Sequence, residues 1–212
     1  MKKLISTFLC LVVLGACQSE AQKTKPLSLT PPKGKAIAVF AEGCFWCSEH
    51  IFEAVEGVDD AVSGYAGGKT EMPTYREVCG EQTGHAEAVM VYYDPKKVSY
   101  SELVKVFFSS QDPTTPDQQG PDKGSSYRSI AFYQNPEEKA IIEQEIVAVN
   151  ASKRFRNKVV TEVLPIQKFW KAEDYHQNYI NTHPENGYVG AVSLPRFEAF
   201  KRVYKGKLKK GE

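Results

Sequence analysis

The stretch AIAVFAEGCFWCSEHIFEAVEG, residues 36–57, places two cysteines where a strand turns into a helix. Its first six residues are apolar and rich in Ala, Ile, Val and Phe, which predicts a short buried strand. After Glu42 and Gly43, apolar side chains recur at helical spacing until Gly57, which predicts a helix. The order is therefore strand, tight turn and helix, with Cys44 at the turn.

Cys44 and Cys47 are separated by two aromatic residues at the predicted start of this helix. Free backbone N–H groups and the positive end of the helix favour an anion there, so we expect a lowered pKa at Cys44. Cys47 lies on the same side of the first turn at roughly 5 to 6 Å, close enough for a disulfide after a small adjustment. The pair predicts a redox site with Cys44 as the nucleophile.

Three other interpretations of this CxxC pair remain open. It could be half of a zinc site, although zinc needs four ligands and only Cys79, His85 or His50 could complete the set, at unusual spacing. Both cysteines could also be structural, since free Cys is common in protein cores. A thioredoxin-like oxidoreductase shares the order of strand, CxxC and helix, but it gives no role to the GHAE motif at residues 84–87. A zinc-binding or thiol-binding module is therefore the alternative function.

Glu87 is the acidic exception within the apolar segment of residues 85–93, which predicts a strand buried on both faces. Its neighbours Ala86, Ala88 and Val89 are apolar, so we expect the carboxyl group to be desolvated and its pKa to be raised. A strand-edge carboxylate that faces water is the alternative. A raised pKa would give the site an acid that keeps its proton near neutral pH.

The remaining chain mixes helices and strands without a regular βαβ rhythm. Helices are predicted from residue 99, from residue 135 and over residues 172–181, and strands over residues 127–133 and 159–164. Residues 188–194 are ambiguous, the tail from Lys201 is predicted to be a solvated helix end, and the long loop at residues 111–126 suggests a functional role. This order favours an α+β two-layer sandwich with a mixed central sheet flanked by helices.

Composition indicates an ordinary globular protein. The 212 residues are 42% hydrophobic and 25% charged, which is enough apolar material for one catalytic domain with its own core. Lys and Arg total 27 against 26 acidic residues, so no strong field points toward nucleic acid. We therefore expect no nucleic-acid partner.

The N-terminus predicts a targeting signal. Two lysines precede an apolar run that has about the length of a signal-peptide core and is too short to span a bilayer. The sequence LGAC, residues 14–17, resembles the lipobox of bacterial lipoproteins, in which the signal is cut before a cysteine that becomes lipidated. We expect residues 1–16 to be a lipoprotein signal peptide and Cys17 to anchor the protein in the bacterial cell envelope, facing the extracytoplasmic side.

Residues 17–35 are rich in Gln, Ser, Thr, Lys and Pro, which predicts a flexible tether before a catalytic domain at residues 36–212. Cys10 would leave with the signal peptide. Only Cys44, Cys47 and Cys79 then remain for chemistry, and three cysteines do not make a disulfide framework.

Several motifs together resemble the peptide methionine sulfoxide reductase A family in order and spacing. They are GCFW at 43–46, PTYREVC at 73–79, TGHAEAV at 83–89, YYDP at 92–95, Asp122, YRS at 127–129 and AEDYHQ at 172–177. The match covers about residues 36–190. The resemblance implies a thiol enzyme that reduces methionine sulfoxide and acts on the S epimer, since one enzyme serves each epimer.

The same resemblance implies a role for each matching residue. Cys44 would be the nucleophile, and Glu87 the acid that protonates the sulfoxide oxygen, because a sulfoxide sulfur becomes electrophilic only when its oxygen is protonated or strongly hydrogen-bonded. Tyr75 and Tyr127 would donate hydrogen bonds to that oxygen, with Asp122 as a supporting polar residue. For Tyr75 and Tyr127 the alternative is half-buried packing.

Phe45 and Trp46 would form the pocket for the methyl group of the substrate. Many relatives have Gly at the position of Cys47 and carry resolving cysteines near the C-terminus, whereas this chain has no cysteine after Cys79. We therefore expect Cys47 to resolve a Cys44 sulfenic acid, and Cys79 to serve packing.

A thioredoxin-like partner would reduce the resulting disulfide by thiol exchange, and oxidised proteins or peptides would be the substrates. The sequence has no flavin, nicotinamide or metal motif, so we expect no bound cofactor. We also expect a monomer.

Overall fold

The computed structural model describes residues 25–211. The predicted signal peptide, Cys10 and Cys17 lie outside the described residues. In the described range, no helix combines the length and the apolar character needed to cross a membrane.

Nine strands and six α-helices are present within residues 25–211. The strands are β1 (Lys25–Leu27), β2 (Ala36–Glu42), β3 (Val58–Ala66), β4 (Ala86–Tyr93), β5 (Gln118–Gln119), β6 (Asp122–Lys123), β7 (Ser129–Tyr133), β8 (Glu162–Pro165) and β9 (Phe169–Lys171). The helices are α1 (Phe45–Glu53), α2 (Tyr75–Cys79), α3 (Tyr100–Ser109), α4 (Pro136–Ala151), α5 (Tyr179–Thr182) and α6 (Leu194–Val203).

Seven of the described strands form one sheet in the order β1-β9-β3-β4-β2-β7-β8. Strands β7 and β8 pair in parallel and the other neighbours pair antiparallel, so the sheet is mixed, as predicted. Strand β4 lies at the centre, and every residue in it except Tyr92 is buried. Its apolar sequence therefore reflects a strand covered on both faces.

Strand β2 divides the interior into two apolar clusters because alternate side chains leave opposite faces of a strand. Phe40 points toward the helices and stacks on Phe52 of α1 and Phe107 of α3, with ring centroids 5.2 Å and 5.1 Å away. Val39 points to the other face, where the cluster is built from strand and loop residues. The predicted α+β architecture is thus confirmed.

Part of the predicted tether belongs to the sheet. Strand β1 pairs with β9 along Lys25–Leu27, and Leu27 and Leu29 pack against the second apolar cluster. The expectation of a flexible tether up to residue 35 is therefore wrong for this part. The reason is that the apolar side chains of Leu27 and Leu29 pack against the sheet, although most other residues of this segment are polar.

The predicted helix over residues 172–181 is also wrong. The chain instead forms a 3₁₀ turn at Asp174–His176 and only a short helix, α5, after Asn178, which adopts a left-handed conformation with φ of 52°. The Gln177 side chain hydrogen-bonds the backbone N–H and C=O of Ser63 in β3. Contacts to the sheet therefore override the local helical pattern.

The ambiguous segment at residues 188–194 is a π-helical turn, Val189–Ser193, that continues into α6. Helix α6 ends at Val203, so the predicted solvated helix end is short. The tail then returns to the core, where Leu208 forms a β-bridge with Val55 after α1. The C-terminal segment thereby packs against the helix that carries the two cysteines.

Candidate active site

Cys44 lies at the junction of β2 and α1, where the sequence places it. It is the N-cap residue of α1, and its carbonyl oxygen accepts hydrogen bonds from the N–H groups of Cys47 and Ser48. Gly43 before it has φ of 90°, and a Cβ there would lie 2.5 Å from the side chain of Gln119. The loop over residues 111–126 therefore closes onto the cysteine turn, and only glycine fits between them.

Glu87 faces this turn from the centre of the sheet. Its side chain is only 1% exposed, and Oε2 accepts a hydrogen bond of 3.0 Å from the Phe45 N–H at the start of α1. Burial raises the pKa of Glu87 to about 8, with smaller contributions from nearby negative groups such as Asp122, although the Phe45 N–H lowers it. The expected desolvated acid is therefore present, and it holds a proton at neutral pH.

Tyr75, Tyr127 and Asp122 lie near the same carboxyl group, since each interacts electrostatically with Glu87. Burial raises the pKa of both tyrosine hydroxyls, and the charge of Glu87 raises each further. Asp122 accepts a hydrogen bond from the Tyr188 hydroxyl, and burial raises the pKa of Asp122. The structure thus gathers the three residues that the sequence suggests around Glu87.

Phe45 and Trp46 form part of an aromatic wall next to Cys44. The Trp46 ring stacks on Tyr179 at 3.7 Å between centroids, and its indole N–H donates to Nδ1 of His176 at 3.1 Å. The Phe45 ring lies 4.9 Å from the His176 ring. Burial lowers the pKa of His176 to about 4, so its imidazole is neutral and acts as the acceptor for Trp46. Such a wall suits an apolar group like a methyl.

The two cysteines of α1 interact directly. Cys47 is 1% exposed, and the thiol groups of Cys44 and Cys47 share a hydrogen bond. Burial raises the pKa of Cys44, and the hydrogen bond to Cys47 raises it further. That hydrogen bond lowers the pKa of Cys47 to about 6, helped by the positive charge of Arg196. The expected lowering of the Cys44 pKa is therefore wrong, because burial outweighs the effect of the helix end.

Cys79, the last residue of α2, is exposed rather than packed. Its thiol shares a hydrogen bond with the Tyr75 hydroxyl at the rim of the site. The expected packing role is wrong because α2 is short and turns this side chain outward.

Several residues of the site escape sequence reasoning. Glu173 accepts hydrogen bonds from the Tyr65 hydroxyl and the Tyr75 N–H, at 2.8 Å and 2.9 Å. Ser193 hydrogen-bonds Cys47, and the charge of Arg196 acts on both cysteines, although both residues belong to the C-terminal helical segment, far from the cysteines in sequence. Glu173 lies in the AEDYHQ motif at residues 172–177, but the resemblance assigns it no role.

The described residues contain no cluster of three or more His, Cys, Asp or Glu side chains that could hold a metal ion. Within residues 25–211 the zinc interpretation of the CxxC pair therefore has no ligand set.

Comparisons with known proteins agree on one family. A family profile described as peptide methionine sulfoxide reductase matches residues 36–208. The chain is 45% identical over 187 residues to peptide methionine sulfoxide reductase MsrA 1 of Rhodopirellula baltica, covering 88% of this chain and 93% of that protein. It is 47% identical over 160 residues to the MsrA of Pasteurella multocida, covering 76% and 91% of the two chains.

Solved structures give the same result. Reduced Mxr1 from Saccharomyces cerevisiae superposes with a TM-score of 0.68 at 32% identity, covering 78% of this chain and 92% of that one. Methionine sulfoxide reductase A of Corynebacterium diphtheriae superposes with a TM-score of 0.66 at 31% identity, covering 80% and 91%.

We predict that Glu87→Gln stabilises the folded protein at neutral pH. The folded carboxyl has a pKa of about 8 against an ordinary value of 4.5, so the unfolded chain releases this proton at lower pH than the folded chain does. Stability therefore falls as pH rises between these two values, and Gln removes that loss. We expect a gain of roughly 3 kcal/mol near neutral pH and little gain near pH 4.

Urea denaturation of wild type and variant at both pH values measures this difference. The exposed Glu185, as Glu185→Gln, is the matched control and should change stability at neither pH. A loss of stability by Glu87→Gln that is equal at both pH values would contradict a buried neutral carboxyl.

Proposed function

Because the chain belongs to the peptide methionine sulfoxide reductase family, we propose that it reduces the S epimer of methionine sulfoxide in oxidised proteins and peptides through Cys44. The observation that carries the mechanism is the position of Glu87. Its carboxyl group has a raised pKa and accepts a hydrogen bond from the N–H of Phe45. Because Phe45 directly follows Cys44 in the sequence, this bond brings the acid to the thiol that attacks. A sulfoxide needs an acid for its oxygen and a nucleophile for its sulfur, and this site holds the two next to each other.

In the first half of the cycle, the Cys44 sulfur attacks the sulfoxide while Glu87 supplies a proton to the oxygen. The oxygen passes to Cys44, the substrate leaves as methionine, and Cys44 becomes a sulfenic acid. The sulfoxide is reduced by two electrons and the cysteine is oxidised by two. In the resting site, Cys44 first passes its proton along the hydrogen bond to Cys47.

Tyr75 and Tyr127 hold the sulfoxide oxygen by donating hydrogen bonds, and Asp122 supports the polar side of the pocket. Their hydroxyls keep their protons because burial raises the pKa of each. Phe45 and Trp46 accept the methyl group on the apolar side. The contrast between the two sides supports selection of one sulfoxide epimer.

Cys47 resolves the sulfenic acid by forming a disulfide with Cys44, and water leaves. A thioredoxin-like dithiol then reduces the disulfide, so the enzyme needs no bound cofactor. The contact between the two thiol groups supports this pairing, since the formation of a disulfide between them requires little movement. We propose that the enzyme works as a monomer.

We further propose that the enzyme repairs oxidised proteins in the bacterial cell envelope, anchored by lipid on Cys17 after removal of residues 1–16. The proposal rests on the LGAC motif at residues 14–17. Strand β1 begins at Lys25, so only residues 18–24 would separate the lipid from the sheet.

The acid role predicts that Glu87→Gln lowers the single-turnover rate of methionine release from a peptide with the S-sulfoxide by roughly 10²- to 10⁴-fold. Gln keeps the volume of Glu but cannot transfer a proton. The R-sulfoxide peptide serves as the blank, and Glu185→Gln should react like wild type. If Glu87→Gln reduced the S-sulfoxide at the wild-type rate across neutral pH, another group would have to protonate the oxygen.

For the resolving role, we expect Cys47→Ser to release about one methionine per enzyme without reductant and to stop there. Dimedone should then label a sulfenic acid on Cys44. Cys79→Ser is the matched control and should cycle with thioredoxin like wild type, with little loss of stability since Cys79 is exposed. In wild type, mass spectrometry after one turnover should find the Cys44 to Cys47 disulfide. A Cys44 to Cys79 disulfide would overturn the scheme.

The anchoring proposal predicts that wild-type protein expressed in a bacterium sediments with membranes and that Cys17→Ala is recovered in the soluble fraction. Stable anchoring needs more than one acyl chain, which bacterial lipoproteins carry. Cys79→Ser should sediment like wild type. Recovery of wild type and Cys17→Ala in the same soluble fraction would refute the anchor.

A further inference from the structure

Cys47 lies where α1 meets the C-terminal helical segment. Its sulfur forms a hydrogen bond of 3.2 Å with Oγ of Ser193, the last residue of the π-helical turn before α6. Both residues are 1% exposed. A hydroxyl group can donate its proton to a thiolate, so Ser193 can hold the Cys47 sulfur in place in its charged form.

Arg196, one turn further along, is fixed beside the cysteine turn. Its Nη2 donates to the carbonyl oxygen and to Oε1 of Glu42, at 2.9 Å and 3.0 Å, and its Nε donates to the carbonyl oxygen of Ser110 at 2.8 Å. The Ser110 hydroxyl donates to the other carboxyl oxygen of Glu42 at 2.6 Å. Both partners are buried, so the guanidinium group is held rigidly at the end of β2, just before Gly43.

Glu42 does not fully neutralise the positive charge of Arg196. Burial raises the pKa of Glu42 to about 7, although Arg196 lowers it, so this carboxyl is only partly ionised near neutral pH. The pKa of Arg196 is raised because the charges of Glu42, Cys47 and Cys44 outweigh its burial. The guanidinium group therefore stays charged and acts on the sulfurs.

The other ionisable groups that act on Cys47 oppose a thiolate there. Negative charge on Glu42, Glu87 or Asp122 repels it, and so does ionisation of Tyr188. The Cys44 thiol favours it by a hydrogen bond, but this thiol is consumed when Cys44 becomes a sulfenic acid. Arg196 and Ser193 remain unchanged at that stage.

We propose that Arg196 and Ser193 are positioning residues for the resolving step, which hold the Cys47 sulfur beside Cys44 and stabilise its negative charge while it attacks the sulfenic acid. This inference rests on the proposed role of Cys47. In the step itself, the Cys47 thiolate forms the S–S bond with Cys44 as the S–O bond of the sulfenic acid breaks. Cys47 supplies the electron pair, and the departing hydroxide takes up a proton and leaves as water.

The test follows resolution separately from sulfoxide reduction. Enzyme is mixed with one equivalent of S-sulfoxide peptide without reductant, and quenched samples are analysed by mass spectrometry for the dimedone-labelled sulfenic acid and the Cys44 to Cys47 disulfide. The rate of conversion between them is measured from about pH 5 to about pH 9.

In Arg196→Gln we expect resolution to slow about tenfold at neutral pH and its pH midpoint to rise by about one unit, with recovery toward the wild-type rate at high pH. Arg196→Lys should restore most of the rate because it keeps the charge. Ser193→Ala should shift the profile in the same direction by a smaller amount. A purely structural role would lower the rate at every pH without moving the midpoint.

Arg202→Gln is the matched control, since Arg202 is exposed in the last turn of the same helix, and its profile should equal that of wild type. If Arg196→Gln does not fold, Ser193→Ala carries the test with the same readout. An unmoved midpoint in the folded variants, alongside a normal Cys44 to Cys47 disulfide in wild type, overturns this inference alone. Absence of that disulfide in wild type overturns the proposed role of Cys47 instead.

Discussion

The hydrogen bond from the Phe45 N–H to Glu87 is the contact on which the site depends. The first N–H groups of a helix have no partner within the helix, and a buried carboxyl group needs a donor, so each satisfies the other. The bond joins the central strand of the sheet to the start of α1. It also sets the distance between the acid and Cys44, because Phe45 follows Cys44 directly. Since Oε2 accepts this N–H, Oε1 is left to carry the proton.

A second layer of side chains holds the aromatic residues of the site in place. Glu173 fixes Tyr75 through its backbone N–H and fixes Tyr65 through its hydroxyl, while His176 accepts from Trp46. These two residues come from the segment that lacks the predicted helix. Glu173 is the N-cap residue of the 3₁₀ turn Asp174–His176, and His176 is the last residue of that turn, so this short irregular segment brings both side chains to the site.

The sequence predicts what depends on local pattern. Strand β2 and the doubly buried β4 follow from apolar runs, helix α1 follows from helical spacing, and the desolvated Glu87 follows from its apolar neighbours. What depends on distant partners is not predictable in this way: Ser193 lies 146 residues from Cys47, and no local signal connects them. Two opposing effects on the pKa of Cys44 differ in size. A helix end contributes roughly 0.3–1 kcal/mol, whereas full burial can shift a pKa by about 3 to 5 units, so burial decides at Cys44.

The charges in the site support one another through the proposed cycle. A negative charge on the sulfur pair raises the pKa of Glu87, so the same charge that makes the nucleophile keeps the acid protonated. When the oxygen transfers to Cys44 and takes a proton from Glu87, the negative charge moves from sulfur to the carboxylate. The carboxylate can then receive the proton that Cys47 must lose before it attacks. One negative charge therefore alternates between the sulfur pair and Glu87, and a thiolate and the Glu87 carboxylate never need to coexist, which would be costly so far from water. The guanidinium group of Arg196 lies at the cysteine turn, so it favours negative charge on the sulfur pair over negative charge on Glu87.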